Sequence, residues 1–596
     1  MNRPHVLVLP IPAQGHVIPL LEFSQCLAKQ GFRVTFVNTD YDHKRIMESL
    51  EGKNDLGEQI RLVSIPDGME PWEDRNDFGK LFEKVLQVMP GKLEELIEDI
   101  NSREDEKLDC FIADGYMAWS MEVAKKMNVR GALFWPSSAA SVALLFHIPK
   151  LIDDGIIDSN GTPMSKQMFR IAPNMPEMNS GDCFWTNIGD LNTQKIIFDL
   201  LDRNMRAMRA VNFQLCHSTY ELESEAFTVV PELLPIGPLL AGNRLGNSAG
   251  HFWREDSSCL EWLDQQQPSS VLYAAFGSFT ILDQVQFQEL AFGLELCNRP
   301  FLWVVRPDIT TDANDRYPDG FQERVSARGR MIGWAPQQKV LNHPSIACFL
   351  SHCGWNSTME GVSNGIPFLC WPYFAEQFLN EKYICDIWKV GLRFDKNESG
   401  IITREEIKNK VDQVLGHQDF KARALELKEK AMSSIREGGS SRKTFQNFLE
   451  WVKTNALAHN SPVMGETFVY LVLAYEKILV RFVAKKAEIG CCTAQNALLQ
   501  MKESTLGIRS LLCKRTAVAA ERKHEVLSDD EGISVSVEDQ KVNEDMPEAH
   551  DAAMKIERSE GAYMAYSGLR EKPSKLEIWT LHCYNGCARC FSSHHQ

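Results

Sequence analysis

Val6-Leu7-Val8-Leu9-Pro10-Ile11-Pro12-Ala13-Gln14-Gly15-His16 decides the fold class at the very start of the chain. Residues 6–9 are an uninterrupted apolar run, the pattern of a parallel strand buried on both faces. Residues 11–15 are a Pro/Gly loop. Over 17–30 the apolar residues Leu20, Leu21, Phe23, Leu27 and Ala28 recur at helical spacing, and Gly31 stands where a helix C-cap belongs. Residues 32–37 read as the next strand. Strand, helix and strand in this order predict a right-handed crossover in a parallel sheet.

The alternation continues. The apolar run 110–113 ends at Asp114, and 133–135 ends at Pro136. Strand ends of this kind are where open α/β sheets place ligands. Leu234-Pro235-Ile236-Gly237-Pro238 breaks the pattern, and a stretch rich in Gly, Asn and Ser follows over 242–250. It reads as an interdomain linker. Strands are then expected at 271–276 (ending in Gly277-Ser278), 301–305, 347–350 and 368–370, with helices at 284–296 and 354–363. The expected division is a first Rossmann-like domain over 1–240, a linker over 241–256, and a second Rossmann-like domain over 257–455. The last helices, up to about Trp451, are expected to pack back on the first domain. A tail of different character fills 456–596, and its acidic stretch 526–548, poor in aromatics, reads as disordered.

At 596 residues the chain exceeds a single ordinary core. A hydrophobic content of 44% and a charged content of 24% are those of a globular protein. The formal net charge of −16 argues against a nucleic-acid partner, which needs clustered Lys and Arg. Sixteen cysteines without a secretory leader read as free thiols in a reducing compartment, hence the cytoplasm. The first apolar run is too short for a signal sequence or a membrane span. The stretch 468–483 is interrupted by Glu476, Lys477 and Arg481, so no span is expected there either. The protein is expected to be a monomer.

The densest chemistry lies in the second domain: Trp334-Ala335-Pro336-Gln337-Gln338, His343-Pro344, Ser351-His352-Cys353-Gly354-Trp355-Asn356-Ser357, Glu360-Gly361, Trp371-Pro372 and Glu376-Gln377. A buried strand here delivers the chain into a Gly-containing turn at a helix N-terminus. Such an end presents N–H groups and partial positive charge, which suits a diphosphate. His352, Asn356 and Ser357 add side-chain donors, and Glu360 is placed to accept from a sugar or ribose hydroxyl. Trp334 offers a stacking face. Each piece alone is more often structural; together they are not generic.

The assembled segment, 44 residues from Trp334 to Gln377, resembles the signature box of the plant secondary-product UDP-glycosyltransferases. The resemblance extends over roughly Pro4 to Lys453, about three quarters of the chain. It implies the GT-B fold, an α/β architecture of two Rossmann-like domains facing across a cleft. It also implies roles. Trp334 would stack on uracil, with the Ala335 backbone pairing to it, and Gln337 and Glu360 would hold the ribose. His352, Asn356 and Ser357 would bind the diphosphate on the turn at Gly354, with a further contact from Ser278. Trp355, Glu376 and Gln377 would face the sugar, and a Gln at the last box position goes with glucose. The implied partners are a UDP-sugar donor and a small lipophilic acceptor, with UDP-glucose as co-substrate and no separate cofactor or metal.

His16 matches the family's catalytic base and Asp114 the carboxylate that pairs with it. From position alone, His16 reads more readily as an idle residue near a helix start, and Asp114 also reads as a turn or N-cap residue. The chemistry calls for the pair: an acceptor hydroxyl is a poor nucleophile at neutral pH, a neutral imidazole takes its proton during attack, and a carboxylate fixes the tautomer. The implied reaction is an inverting transfer of glucose to oxygen. Two positions depart from the pattern. Pro136 stands where some members carry Thr, and Glu376 replaces the Asp of many members. Phe134, Phe184, Trp185 and Phe374 are candidates for an aromatic acceptor wall. The tail ends in His582-Cys583, Cys587, Cys590 and His594-His595, a run without the paired spacing of zinc sites. A nicotinamide oxidoreductase is disfavoured, since residues 11–16 lack the Gly-x-Gly-x-x-Gly turn. A non-catalytic binder on this scaffold is expected to lose the base or the box, and both are intact.

Overall fold

The structure, a computed structural model, describes residues 3–50, 56–208, 211, 213–239, 250–310 and 317–459. Most of the expected linker, at 241–249, lies outside the described residues. So does the tail beyond 459, with its acidic stretch and its Cys/His run.

Among the described residues the first domain holds strands β1 (His5–Leu9), β2 (Arg33–Thr39), β3 (Ile60–Ile65), β4 (Cys110–Asp114) and β5 (Gly131–Trp135). A short antiparallel pair follows, β6 (Met168–Phe169) and β7 (Met178–Asn179), then β8 (Phe213–Cys216) and β9 (Leu233–Pro235). The second domain holds β10 (Val271–Ala275), β11 (Phe301–Val304), β12 (Gly329–Ile332), β13 (Ile346–Ser351), β14 (Phe368–Cys370) and β15 (Gly391–Arg393). The two large sheets run β3-β2-β1-β4-β5-β8-β9 and β12-β11-β10-β13-β14-β15, with every neighbouring pair parallel. The strand order reverses between β1 and β4 in one sheet and between β10 and β13 in the other. Such switch points open a crevice at the carboxyl ends of the strands. This is the doubly wound, two-domain arrangement expected of the GT-B fold.

The strands at those switch points are buried along their whole length, so they carry apolar residues on both faces. Side chains still alternate between faces. In β5, Ala132 and Phe134 join the core that contains Phe23 and Phe448, whereas Leu133 and Trp135 join the core on the other side. The first helix, Gln14–Lys29, starts three residues before the expected Val17, which places Gly15 and His16 in its first turn. Gly31 follows it with φ of +85°, in keeping with the expected C-cap.

The last helix, Ser440–His459, lies against the first domain. Phe448 packs on Phe23 and Phe213 with ring centroids 5.8 and 5.5 Å apart, and Arg130 Nη1 donates to the Trp451 carbonyl at 3.0 Å. Burying one such phenyl group is worth about 1.5–3 kcal/mol. Direct bonds also cross between domains: Trp355 Nε1 donates to the His217 carbonyl at 2.8 Å, and Gln338 Nε2 to Glu22 Oε1 at 2.9 Å. No helix among the described residues is long and apolar enough to cross a membrane.

Candidate functional site

The two switch points face one cavity of about 640 Å3. β1 leads into the helix bearing His16, and β4 ends at Asp114, its neighbour in the sheet. His16 Nδ1 lies 2.7 Å from Asp114 Oδ2. The carboxylate is wholly buried, whereas the imidazole side chain keeps 26% of its surface and lines the cavity. The other carboxylate oxygen, Oδ1, accepts from the Tyr116 N–H at 3.0 Å, so both oxygens have assigned tasks. Burial pulls the His16 pKa down, but the charge and hydrogen bond of Asp114, with the charge of Glu376 adding, outweigh it, and the pKa ends above the usual histidine value. Glu376, half-buried and lining the same cavity, has its own pKa raised by desolvation, against opposing hydrogen bonds from its own and the Trp355 backbone N–H and the pull of His16.

The structure brings the residues expected of a donor site to one cavity. Ser278, Trp334, Ala335, Gln337, His352, Gly354, Trp355, Asn356, Ser357, Glu360, Glu376 and Gln377 all line the same cavity. β13 delivers the chain to Cys353, at φ of +64°, and then to Gly354, which starts the helix Trp355–Asn364 without a side-chain cap. The first turn of that helix therefore turns its positive end to the cavity. His352 lies between two glycines: a Cβ on either Gly277 or Gly354 would stand 2.4 Å from its Nε2, inside any real contact. Burial, with the charge of Arg306 helping, pulls the His352 pKa down to about 4, so the ring is neutral near pH 7. A second non-glycine residue in the left-handed region, Ala375 at φ of +54°, turns the chain into Glu376 and Gln377. Such conformations each cost about 1–3 kcal/mol and gather where a loop must be aimed.

Several of these side chains hold one another. Gln337 Oε1 accepts from the Tyr273 hydroxyl at 2.9 Å, while its Nε2 donates to Ser357 Oγ at 2.8 Å and Glu360 Oε2 at 2.6 Å. Gln377 Oε1 accepts from the Tyr373 and Phe374 N–H groups at 2.8 and 3.2 Å, which directs its amide nitrogen away from that turn. Asn356 Nδ2 donates to the Gly15 carbonyl at 2.6 Å, tying the helix Trp355–Asn364 to the turn that carries His16. The Trp355 indole is committed to the His217 carbonyl, so this residue meets the cavity mainly as the helix start.

The acceptor wall is only partly as expected. Phe184 and Phe374 line the cavity. Phe134 does not: it points to the opposite face of the sheet and stacks on Phe23, centroids 5.1 Å apart. Trp185 does not either; it is buried against Phe198, and its indole N–H donates to the Gly161 carbonyl at 2.9 Å. The other aromatic rings on the cavity include Tyr116, Phe78 and Phe279, which the sequence reading missed. Phe78 comes from the helix Phe78–Asn101, whose N-cap Asp77 accepts from Lys80 N–H at 3.0 Å. Its ring meets Phe279 and Phe374 of the second domain at centroid distances of 5.2 and 6.4 Å. Arg306 was also missed. Buried just beyond the end of β11, it bonds the Gly277 carbonyl and, at 2.8 Å, the Thr280 carbonyl, and so shapes the turn that bears Ser278. Its position at a parallel strand's carboxyl end was the available signal.

The chain is similar to known proteins over most of its length. Residues 255–433 match the family model described as UDP-glucoronosyl and UDP-glucosyl transferase. Over 464 residues the chain is 44% identical to UDP-glycosyltransferase 83A1 of Arabidopsis thaliana, covering 76% of this chain and 98% of that protein. Among solved structures it is similar to a UDP-glucosyltransferase from Polygonum tinctorium capable of glucosylating indoxyl, in complex with 3,4-dichloroaniline. That match has 27% identity and a TM-score of 0.64, and covers 76% of this chain and 99% of the other. It is also similar to Phytolacca americana UGT2 complexed with UDP-2fluoro-glucose and pterostilbene, at 26% identity and a TM-score of 0.62, covering 75% and 99%.

Proposed function

This chain belongs to the plant UDP-glycosyltransferases and is a UDP-sugar-dependent glycosyltransferase; we propose that it moves glucose from UDP-glucose to a hydroxyl of a small lipophilic acceptor. The observation that carries the proposal is the His16–Asp114 pair, 2.7 Å apart, at the wall of the cavity whose opposite wall is the donor box. With the ring proton on Nδ1 donated to Asp114, Nε2 is left to accept a proton in the cavity. The acceptor oxygen attacks the anomeric carbon as its proton passes to Nε2, the new O–C bond forms, and the bond to the diphosphate breaks. UDP leaves against the positive end of the helix Trp355–Asn364 and the hydroxyls of Ser278 and Ser357. Attack from the side opposite UDP inverts the anomeric centre and yields a β-glucoside. No metal is needed in this scheme, because the helix end and neutral donors take the leaving charge.

Glucose is favoured by Gln377, whose amide nitrogen remains for a sugar hydroxyl once its oxygen has fixed the 373–374 turn. A lipophilic acceptor is favoured by the aromatic rings of Tyr116, Phe184, Phe78, Phe279 and Phe374 around the cavity. In this reading residues 1–240 form the acceptor domain and 257–455 the donor domain. Both halves of the site come from one chain, so a cytoplasmic monomer suffices. The test is a panel of UDP-sugars against phenols, alcohols and carboxylic acids with the purified protein, read by mass spectrometry. UDP-glucose with hydroxylated apolar acceptors should give the highest turnover. A preference for UDP-galactose, UDP-xylose or UDP-glucuronic acid refutes the donor assignment, and transfer confined to carboxylates or amines refutes the acceptor class.

A further inference from the structure

The segment that enters the second domain grips Trp334 from several directions. The Trp334 indole N–H donates to His251 Nδ1 at 3.2 Å, and His251 Nε2 lies 3.0 Å from Glu255 Oε1. An indole nitrogen only donates, so Nδ1 is the acceptor, the ring proton sits on Nε2, and Nε2 donates to the carboxylate. Trp253 backs the indole, with ring centroids 5.1 Å apart and planes inclined by 27°. The Asp256 N–H donates to the Trp334 carbonyl at 2.8 Å. His251 and Glu255 line the cavity together with Trp334, whereas Trp253 does not, so one indole face is backed and the cavity side is left for a ligand. The same segment is fastened to the first domain. Ser49 Oγ donates to the His251 carbonyl at 2.7 Å, and the Phe252 N–H donates to Gln14 Oε1 at 2.7 Å.

We propose that His251 and Glu255 are positioning residues for the donor's base: they hold the Trp334 indole at the tilt at which it stacks on uracil. The inference rests on the reading of Trp334 as the base-stacking residue. A tryptophan free to turn about its side-chain torsions must be ordered when the base arrives, and that ordering weakens binding. A hydrogen bond to the ring nitrogen, with the acceptor's own tautomer fixed by a carboxylate, completes the ordering on folding. This serves donor affinity and leaves the chemical step, at His16, untouched.

The test uses the full chain, with UDP binding measured by calorimetry and the indole N–H resonances followed by NMR, the Trp334 signal being assigned by its absence in Trp334→Ala. His251→Leu should weaken UDP by about 5-fold, the scale of one neutral hydrogen bond. It should shift the Trp334 indole resonance and raise KM for the UDP-sugar while kcat stays within about 2-fold of the parent. His251→Asn, whose Oδ1 can stand in for Nδ1 as acceptor, should restore most of the affinity. Glu255→Gln, which releases the tautomer, should fall between the two. If Trp334→Ala binds UDP as well as the parent, the stacking role itself is wrong. If Trp334→Ala loses UDP affinity while His251→Leu changes neither affinity nor resonance, stacking stands and the positioning role is overturned. A fall in kcat on His251→Leu as large as the rise in KM also overturns it.

Discussion

Replacing Asp114 by Asn tests the catalytic arrangement without disturbing its shape. The carboxylate is wholly buried and has two partners: Oδ1 takes the Tyr116 N–H and Oδ2 the His16 ring. A backbone N–H can only donate, so an asparagine must keep its oxygen on Tyr116 and turn its NH2 toward His16 Nδ1. That forces the ring proton onto Nε2, where a donor then faces the acceptor hydroxyl in place of a base. The negative charge that stabilises the imidazolium is lost as well. A charge-assisted hydrogen bond is worth about 1.5–3 kcal/mol, so kcat/KM should fall by roughly 10- to 150-fold. The pH profile carries the sign. His16 must be neutral to act, and Asp114 holds its pKa above the usual histidine value. Activity of the parent therefore falls as pH drops through that raised pKa, and in Asp114→Asn the residual acid limb should move to lower pH. UDP affinity should not change. The assay is steady-state transfer to a simple alcohol from pH 5 to 9, with UDP binding measured alongside. Activity within twofold of the parent, or an unmoved acid limb, would refute the pairing.

His16→Ala should lower kcat by about 100-fold or more, the scale of general-base loss, with acidic phenols suffering least and UDP binding intact; near-normal turnover on a weakly acidic alcohol makes His16 structural. Gly354→Ala should weaken UDP by about 10-fold in a folded protein, because its φ of −59° suits any residue and the new Cβ strikes His352 at 2.4 Å; calorimetry showing unchanged affinity removes His352 from the donor wall. Gln377→His should cut UDP-glucose use and admit UDP-galactose, and an unchanged donor profile takes Gln377 out of the sugar site. Transfer should persist in EDTA; activity that is lost and returns only with Mg2+ or Mn2+ overturns the metal-free scheme.

The strands that frame the site were legible because each is an unbroken apolar run ending in a polar residue or glycine. Residues 110–113 before Asp114 and 271–276 before Gly277 fall within a residue of the observed β4 and β10. The same property hid the direction of the side chains. A strand buried on both faces has no alternation of polarity, so nothing in residues 131–135 says that Phe134 meets Phe23 while Trp135 meets Tyr116. The segment 334–377 was legible as a pattern of residue types, but not its internal bonds: Gln337 is engaged by Tyr273 of β10 and by Ser357 and Glu360 of one helix. The Asn356 bond to the Gly15 carbonyl joins residues 341 positions apart, a pairing that only tertiary packing creates. Phe78 and Phe279 were invisible for a simpler reason: an aromatic residue on a helix or loop reads as core until the opposing domain is in place.

The return of the last helix to the first domain has a consequence for how the chain is made. Phe448, Leu449 and Val452 belong to the same buried cluster as Val6, Val8 and Phe23. The first domain is thus discontinuous, and its sheet emerges from the ribosome long before the helix that covers one of its faces. Until the last helix has been synthesised and has left the exit tunnel, Phe23 and Phe213 lack the rings of Phe445, Phe448 and Trp451. The nascent amino-terminal half must therefore wait as an unfinished layer, with sticky apolar surface open to chaperones or to neighbouring chains. Vectorial synthesis cannot complete this protein domain by domain: the second domain has to be translated before the first can gain its last helix.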